Sequence, residues 1–346
     1  MNQVAAPTAD APRASGEVGP VICPLCRRAG ATFEFTGRDR VHGISGEFAI
    51  HHCQGCDAYF IHPWLDAKEL SRFYPEGYGR FRHGESLTKK NYQGWQRFIL
   101  ENHYGYPSRD GGSPNAFSRL AAAVCVRFTA KDVLPYHGGG KILDIGCGAG
   151  GYLYRLRQWG WQTYGVEPSA TGAEQARKLG LDVRQGMLEE AGFAEGSFDV
   201  VRLSNVLEHL AEPRRTFAEI RRILKPDGLV YLTVPNTRSL VFGLFRQHWY
   251  ALETPRHVIC YSPRTLQVLA HATGFAVVRQ DFTAGPFNFV RSLRYFFDDR
   301  ADGYPSWLVN FPWHRSKGLR RALKPLFFFI DGLGYGDFLH ATLRKV

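Results

Sequence analysis

Acidic residues are scarce in this chain. Its 346 residues carry 32 Asp and Glu against 43 Lys and Arg, a formal charge of +11. Such an excess suits nucleic acid, an anionic membrane surface or a phosphorylated small molecule, and by itself does not choose among them. Long apolar runs are lacking too. None reaches the roughly 18 to 20 residues that a membrane-spanning helix needs. A hydrophobic content of 44% still provides for a sizeable core, in two domains or one with appendages. The first stretch, Met1 to Gly19, has no apolar segment of the kind a secretory leader carries. Rich in Ala, Pro and Ser, it reads as a disordered tail. Cysteines arranged to staple a secreted fold are absent as well. Of the seven, four fall into two C-x-x-C pairs, and Cys125, Cys147 and Cys260 are scattered. That usage fits metal binding in a reducing cytoplasm.

What is present is organised around Lys141 to Leu153. A β-prone run (Ile142, Leu143, Ile145) breaks into Gly146, Gly148, Gly150 and Gly151, and a helix-compatible Tyr-Leu-Tyr-Arg-Leu-Arg follows. This is a strand, a tight glycine turn and a helix. The turn's amides, from Gly146 and Cys147 to Gly148 and Gly150, can face a ligand. Read loosely it satisfies the dinucleotide pattern G-x-G-x-x-G. Asp144 argues for a different ligand, because a carboxylate there accepts hydrogen bonds from a cation and sits badly beside a pyrophosphate. The D-x-G-x-G-x-G pattern resembles the first motif of class I S-adenosylmethionine-dependent methyltransferases. A plain glycine turn in an α/β sheet is the competing reading.

Upstream, Cys23 and Cys26 are separated from Cys53 and Cys56 by 26 residues. Each pair places two thiolates on one turn, and two turns complete a closed tetrahedral Zn²⁺ site, structural and not catalytic. A module this small needs its metal to fold. Thr32 to Ile50 alternates enough for a hairpin, and His51 or His52 could substitute for one ligand. Asp66 caps a short helix ended by Pro75. The ribbon followed by "P…L..FYP..Y" and then the glycine motif resembles a bacterial methyltransferase group of sugar, polysaccharide and secondary-metabolite pathways. In that resemblance Tyr74 and Tyr78 match aromatic positions over the acceptor; the other reading is that they pack the ribbon. The spacing of Leu120, Val124 and Phe128 predicts a covering helix over Phe117 to Tyr136.

From Lys141 strands and helices alternate regularly, which argues a parallel sheet. The strand Thr163–Glu167 ends in an acid able to take both ribose hydroxyls of an adenosine ligand. The resemblance implies adenine contacts from Gly186, Met187 and Leu188, and sulfonium-side contacts at the end of Phe198–Ser204, with Ser204 itself a cofactor position. Asn205-Val-Leu-Glu-His-Leu210 follows where enzymes methylating base amines carry Asn/Asp-Pro-Pro-Tyr/Phe, a motif missing here. His209 is one candidate base and His257 another; a capping or packing role is the alternative for each. The long Asn236–Tyr261 segment, rich in aromatics and histidine, is the expected acceptor pocket. It contributes His248, Trp249 and Arg256, the last as an anion clamp. Ser262 and Pro263 open a helix reaching about Thr273. Phe275–Phe282 and Phe338–Val346 read as the last strands, the final one antiparallel.

The fold expected is therefore an α/β, Rossmann-like seven-stranded class I methyltransferase sheet with a small N-terminal zinc ribbon. Its boundaries are a tail at 1–19, the ribbon at 20–62, a linker and helical cover at 63–137, and a methyltransferase domain at 138–346. An insertion at about 286–336 interleaves basic and aromatic residues. It reads either as a peripheral contact with the inner face of the membrane or as core or dimer contact. The expected activity is O-methylation of a small-molecule, sugar or lipid-linked glycan acceptor by a cytoplasmic enzyme using S-adenosylmethionine and structural Zn²⁺. A ribosomal RNA methyltransferase with a zinc module and a non-catalytic zinc-dependent scaffold are the rivals. The basic residues cluster in the insertion and not on the ribbon, which argues against nucleic acid.

Overall fold

The computed structural model describes residues 20–74, 94–108, 114–126 and 133–346. The expected tail at 1–19, Pro75, Tyr78 and Phe128 lie outside the described residues. The chain divides into two compact units, one of 1–75, 205–214 and 232–342, the other of 76–204, 215–231 and 343–346. The strands are β1 Thr32–Arg38, β2 Glu47–Cys53, β3 Ala58–Ile61, β4 Lys141–Ile145, β5 Gln162–Glu167 and β6 Asp182–Gln185. They continue with β7 Phe198–Ser204, β8 Leu224–Pro235, β9 Ile259–Cys260, β10 Phe275–Thr283 and β11 Phe338–Lys345. Seven of them form one sheet in the order β10-β11-β8-β7-β4-β5-β6. The chain's last strand is thus inserted between β8 and β10, and the expected seven-stranded Rossmann-like sheet is present.

In the second unit β4 is the central strand. It runs parallel to β5 (Ile142 opposite Thr163) and to β7 (Ile142 opposite Val200). Strands covered on both faces read as continuous apolar runs, and Ile142 and Leu143 are indeed buried. The helix Gly151–Gln158 contributes Leu156 to a cluster with Ile142, Trp159 and Val200, and Leu153 to another with Ala173, Ala176 and Val183. Ala173 and Ala176 lie on the helix Ala170–Lys178, which Ser169 caps by accepting from the Gly172 amide. The helix expected at Phe117–Tyr136 is described over Ala116–Cys125. Its apolar stripe is turned outward: Phe117, Leu120 and Val124 are exposed and Ala122 is the buried residue.

In the first unit β1, β2, β3 and β9 form an antiparallel sheet. The expected hairpin is present as β1 and β2, with Thr36 opposite Ala49. β3 then pairs with β9, Tyr59 opposite Cys260, so the cysteine-bearing hairpin shares its sheet with a strand about two hundred residues further along. Phe35, Ile50 and Tyr59 from this sheet close over Phe242, Phe245 and Trp249. The insertion is helical, chiefly Pro286–Asp298 and Lys317–Gly332. Phe327 and Ile330 join the same core, against Phe289 and Leu293, whereas Phe328 and Phe329 are exposed. No helix among the described residues is long and apolar enough to cross a membrane.

Candidate active site and metal centre

The glycine turn belongs to the second unit. β4 ends at Ile145, and Gly146, Gly148 and Gly150 all adopt positive φ (67°, 55° and 77°), a conformation costly for any residue with a Cβ. The turn is anchored to the end of β5. Glu167 is buried, and its carboxylate accepts from the Gly148 amide at 2.7 Å and the Ser169 amide at 2.8 Å. Gly165 is required by close approach, since a Cβ there would meet Cys147 Sγ at 2.7 Å. Asp144, also buried, accepts from Arg202 Nη1 at 2.8 Å across the β4–β7 register. Arg202 lies over the Tyr152 ring, 3.8 Å from its centroid.

Burial pushes both carboxyls above their ordinary pKa; Arg202 opposes the rise at Asp144, and the Ser169 and Gly148 amides oppose it at Glu167. Asp144's charge adds to the rise at Glu167. Two buried acids beside this one arginine favour a cationic ligand at the turn, and this donor and charge set fits S-adenosylmethionine better than a dinucleotide. Arg202 was not anticipated. Its signal was a cation in the middle of the mostly apolar strand β7. At the end of β6 the Gly186 amide donates to the Glu167 carbonyl at 3.1 Å, Met187 is 41% exposed, and Leu188 is buried. Of the residues expected at adenine, Met187 is thus the one presenting apolar surface. Ser204 ends β7 and is partly buried.

The four cysteines of the ribbon converge. Cys23 and Cys56 Sγ are 3.6 Å apart, Cys26 and Cys53 Sγ 3.5 Å, and all four sulfurs lie within 4.8 Å of one another. Two similar knuckles produce this. The Arg27 amide donates to the Cys23 carbonyl and the Asp57 amide to the Cys53 carbonyl, and Arg27 and Asp57 both take positive φ. Sulfurs held by a tetrahedral Zn²⁺ at about 2.3 Å would be separated by nearly this spacing, so the donor set fits the ion. His52 is engaged elsewhere, 2.9 Å from Asp57 Oδ1, and His51 rests against Phe60 and His62.

A third group, in the same unit as the cysteines, gathers Tyr74, Glu208, His209, Glu253 and His257. His209 ends the 3₁₀ turn Leu207–His209. Its Nδ1 lies 2.8 Å from Tyr74 Oη and 3.1 Å from the Arg256 carbonyl. A carbonyl only accepts, so Nδ1 carries the hydrogen and the neutral ring has its lone pair on Nε2. The His257 ring stands edge-on to it, centroids 4.6 Å apart. His257 Nδ1 donates to the Ala251 carbonyl at 2.8 Å, and its Nε2 is 3.3 Å from Glu253 and 3.9 Å from Glu208. Both candidate bases are therefore oriented by backbone carbonyls.

The remaining acceptor candidates are placed differently from expectation. Arg256 is fully buried: its guanidinium donates to both oxygens of Asp39 at 2.9 and 3.1 Å and reaches Glu253 at 3.3 Å. Burial alone would raise the Asp39 carboxyl, but the Arg256 and His42 hydrogen bonds hold it below its ordinary value. The anion clamp expected of Arg256 is thus an internal ion pair. Trp249 is buried and donates to Asp337 at 3.3 Å; His248 is buried and lies 3.0 Å from Asp299. The physical reason is shared. An aromatic-rich segment beside a small sheet supplies the core that the sheet lacks, instead of lining an open pocket.

The glycine turn and the strand order define an α/β, Rossmann-like domain of methyltransferase fold. Residues 117–280 match the family described as a methyltransferase domain. Among curated relatives, the ubiquinone biosynthesis O-methyltransferase of Maricaulis maris is 31% identical over 139 residues, 38% of this chain and 54% of that protein. The dimethylglycine N-methyltransferase of Parasynechococcus marenigrum is 26% identical over 288 residues, 76% of this chain and 94% of that one. A possible histamine N-methyltransferase from Thermotoga maritima, a solved structure, is 18% identical with a TM-score of 0.41, covering 73% of this chain and 95% of that one. The chain spans 37% to 54% of the length of the first three curated relatives it matches.

Proposed function

We propose that the protein is a methyltransferase acting on an oxygen of a small-molecule, sugar or lipid-linked glycan acceptor. The observation that carries this reading is the pair of buried carboxylates, Asp144 and Glu167, at a glycine turn. When bound, S-adenosylmethionine supplies a methyl carbon made electrophilic by its sulfonium. Glu167 is assigned to the ribose hydroxyls, Asp144 to the positive charge of the ligand, and the glycine amides to its close approach. Zinc held by Cys23, Cys26, Cys53 and Cys56 is assigned a structural role, because four thiolates leave no open position.

On the acceptor side, the methyl would pass to a hydroxyl oxygen, and the proton of that hydroxyl would need a base. His209 Nε2 takes the hydroxyl proton. Tyr74 Oη and the Arg256 carbonyl hold the ring in the required tautomer, and positioning of two reactants supplies much of the remaining rate. Names of relatives include both an O- and an N-methyltransferase, so the acceptor panel has to contain both. Calorimetry should find S-adenosylmethionine binding, and a panel of nucleotide sugars, lipid-linked glycans, phenols, amines and RNA should identify a hydroxyl acceptor. His209→Ala should then lower kcat by about 100-fold or more with cofactor affinity unchanged. Tight NAD binding without S-adenosylmethionine binding, or methylation of RNA alone, would overturn the proposal.

A further inference from the structure

The helix Lys317–Gly332 divides its surface sharply. Phe327 and Ile330 are buried and Leu323 packs with them. On the opposite side Lys317, Arg321, Lys324 and Phe328 recur at three- and four-residue spacing, which lines them along one stripe. Phe328 is 73% exposed, Phe329 beside it 64% and Leu326 53%. The helix's single acid, Asp331, continues the same spacing three residues beyond Phe328; it is partly buried and accepts from the Ala284 amide. The outer face therefore combines cations with exposed phenyl rings.

We infer that this face docks on an anionic lipid surface. The cations match phosphate headgroups, and the rings of Phe328 and Phe329 match the hydrocarbon boundary just below them. The match of Lys317, Arg321 and Lys324 to anionic headgroups argues for this occupant, and a second copy of the chain is an outcome that the test separates. Exposed phenyls next to the stripe distinguish the site from one made of charge alone. The attachment is peripheral, and it holds whatever acceptor the methyltransferase domain uses.

The test uses the zinc-loaded 346-residue chain with two vesicle types, phosphatidylcholine alone and phosphatidylcholine containing roughly a third phosphatidylglycerol. The protein should sediment with the anionic vesicles at low salt, remain in the supernatant with neutral ones, and be released by high salt as charges are screened. Phe328→Ser with Phe329→Ser, both surface positions, should weaken binding more than tenfold while S-adenosylmethionine affinity and Tm stay unchanged. Lys317→Glu with Arg321→Glu should do the same through charge. Three results would overturn the inference. The wild type could stay in the supernatant with anionic vesicles, or both variant pairs could bind as the wild type does. Alternatively, light scattering could find a dimer that the Phe328→Ser, Phe329→Ser variant abolishes.

Discussion

The glycine turn and the histidine cluster are built in opposite ways. In the turn every contact is short in sequence or runs between adjacent strands: Gly148 reaches Glu167, Gly150 begins the next helix, and Asp144 meets Arg202 in register. The cluster is assembled from Tyr74, the 207–209 turn and the 250s, and it is backed by Arg256 bonded to Asp39, 217 positions away. A site of the first kind is an outcome of one strand–turn–helix unit and the strands directly beside it. A site of the second kind exists only once distant segments have packed, so damage there should be felt first as lost stability and damage at the turn as lost binding.

The hardest way to break the comparison is at the metal. Structural zinc contributes on the order of 10 kcal/mol in small modules, so chelation should disorder β1 to β3. The pairing with β9 and the Asp39–Arg256 contact, both dependent on that sheet, should go with it. Circular dichroism and hydrogen exchange would register the loss, while S-adenosylmethionine affinity at the glycine turn should largely persist. A fully protected β1–β3 sheet after zinc removal would refute the expectation.

Next in size is Arg256→Ala. Leaving Asp39 buried without its cation should cost about 3 to 5 kcal/mol. A drop in Tm measures this, and Arg256→Met combined with Asp39→Leu should recover much of it. If Arg256→Ala instead keeps its Tm and loses only acceptor binding, the buried pair is not what holds this loop.

Glu167→Ala sharpens the other side. Losing a charged hydrogen-bond acceptor is worth roughly 1.5 to 3 kcal/mol, so calorimetry should find S-adenosylmethionine bound more than tenfold more weakly. Because burial holds the Glu167 and Asp144 carboxyls above their ordinary pKa, cofactor affinity should also fall as pH is lowered through those raised values. An affinity that stays flat as the pH is lowered through those raised values would count against their role with a cationic ligand.

The smallest effect is expected at Asp337, whose carboxyl burial pushes from 3.8 to about 6, against hydrogen bonds from Ser239 and Trp249. A raised acid stabilises the fold most below its unfolded pKa, and that contribution is lost as pH rises through about 6. Asp337→Asn should therefore flatten the pH dependence of Tm between those two values without altering cofactor affinity. An unchanged slope would mean that the folded carboxyl is not raised.

Much of this was legible in the chain. Strand β7 was read with the bounds Phe198–Ser204 that the structure gives it, the helix from Pro263 starts behind its Ser262 cap, and the four cysteines meet as their spacing implies. Each of these rests on local rules: periodicity, a capping hydroxyl, a tight knuckle. Tertiary packing decided the rest. Nothing near Arg256 announces Asp39, and three successive phenylalanines look alike until a helix buries Phe327 and exposes Phe328 and Phe329. His248 and Trp249, which composition assigns to a pocket, complete a core instead. Local sequence determines which backbone shape is cheapest, but which side chain faces inward, and which buried charge it meets there, depends on elements hundreds of residues apart arriving together.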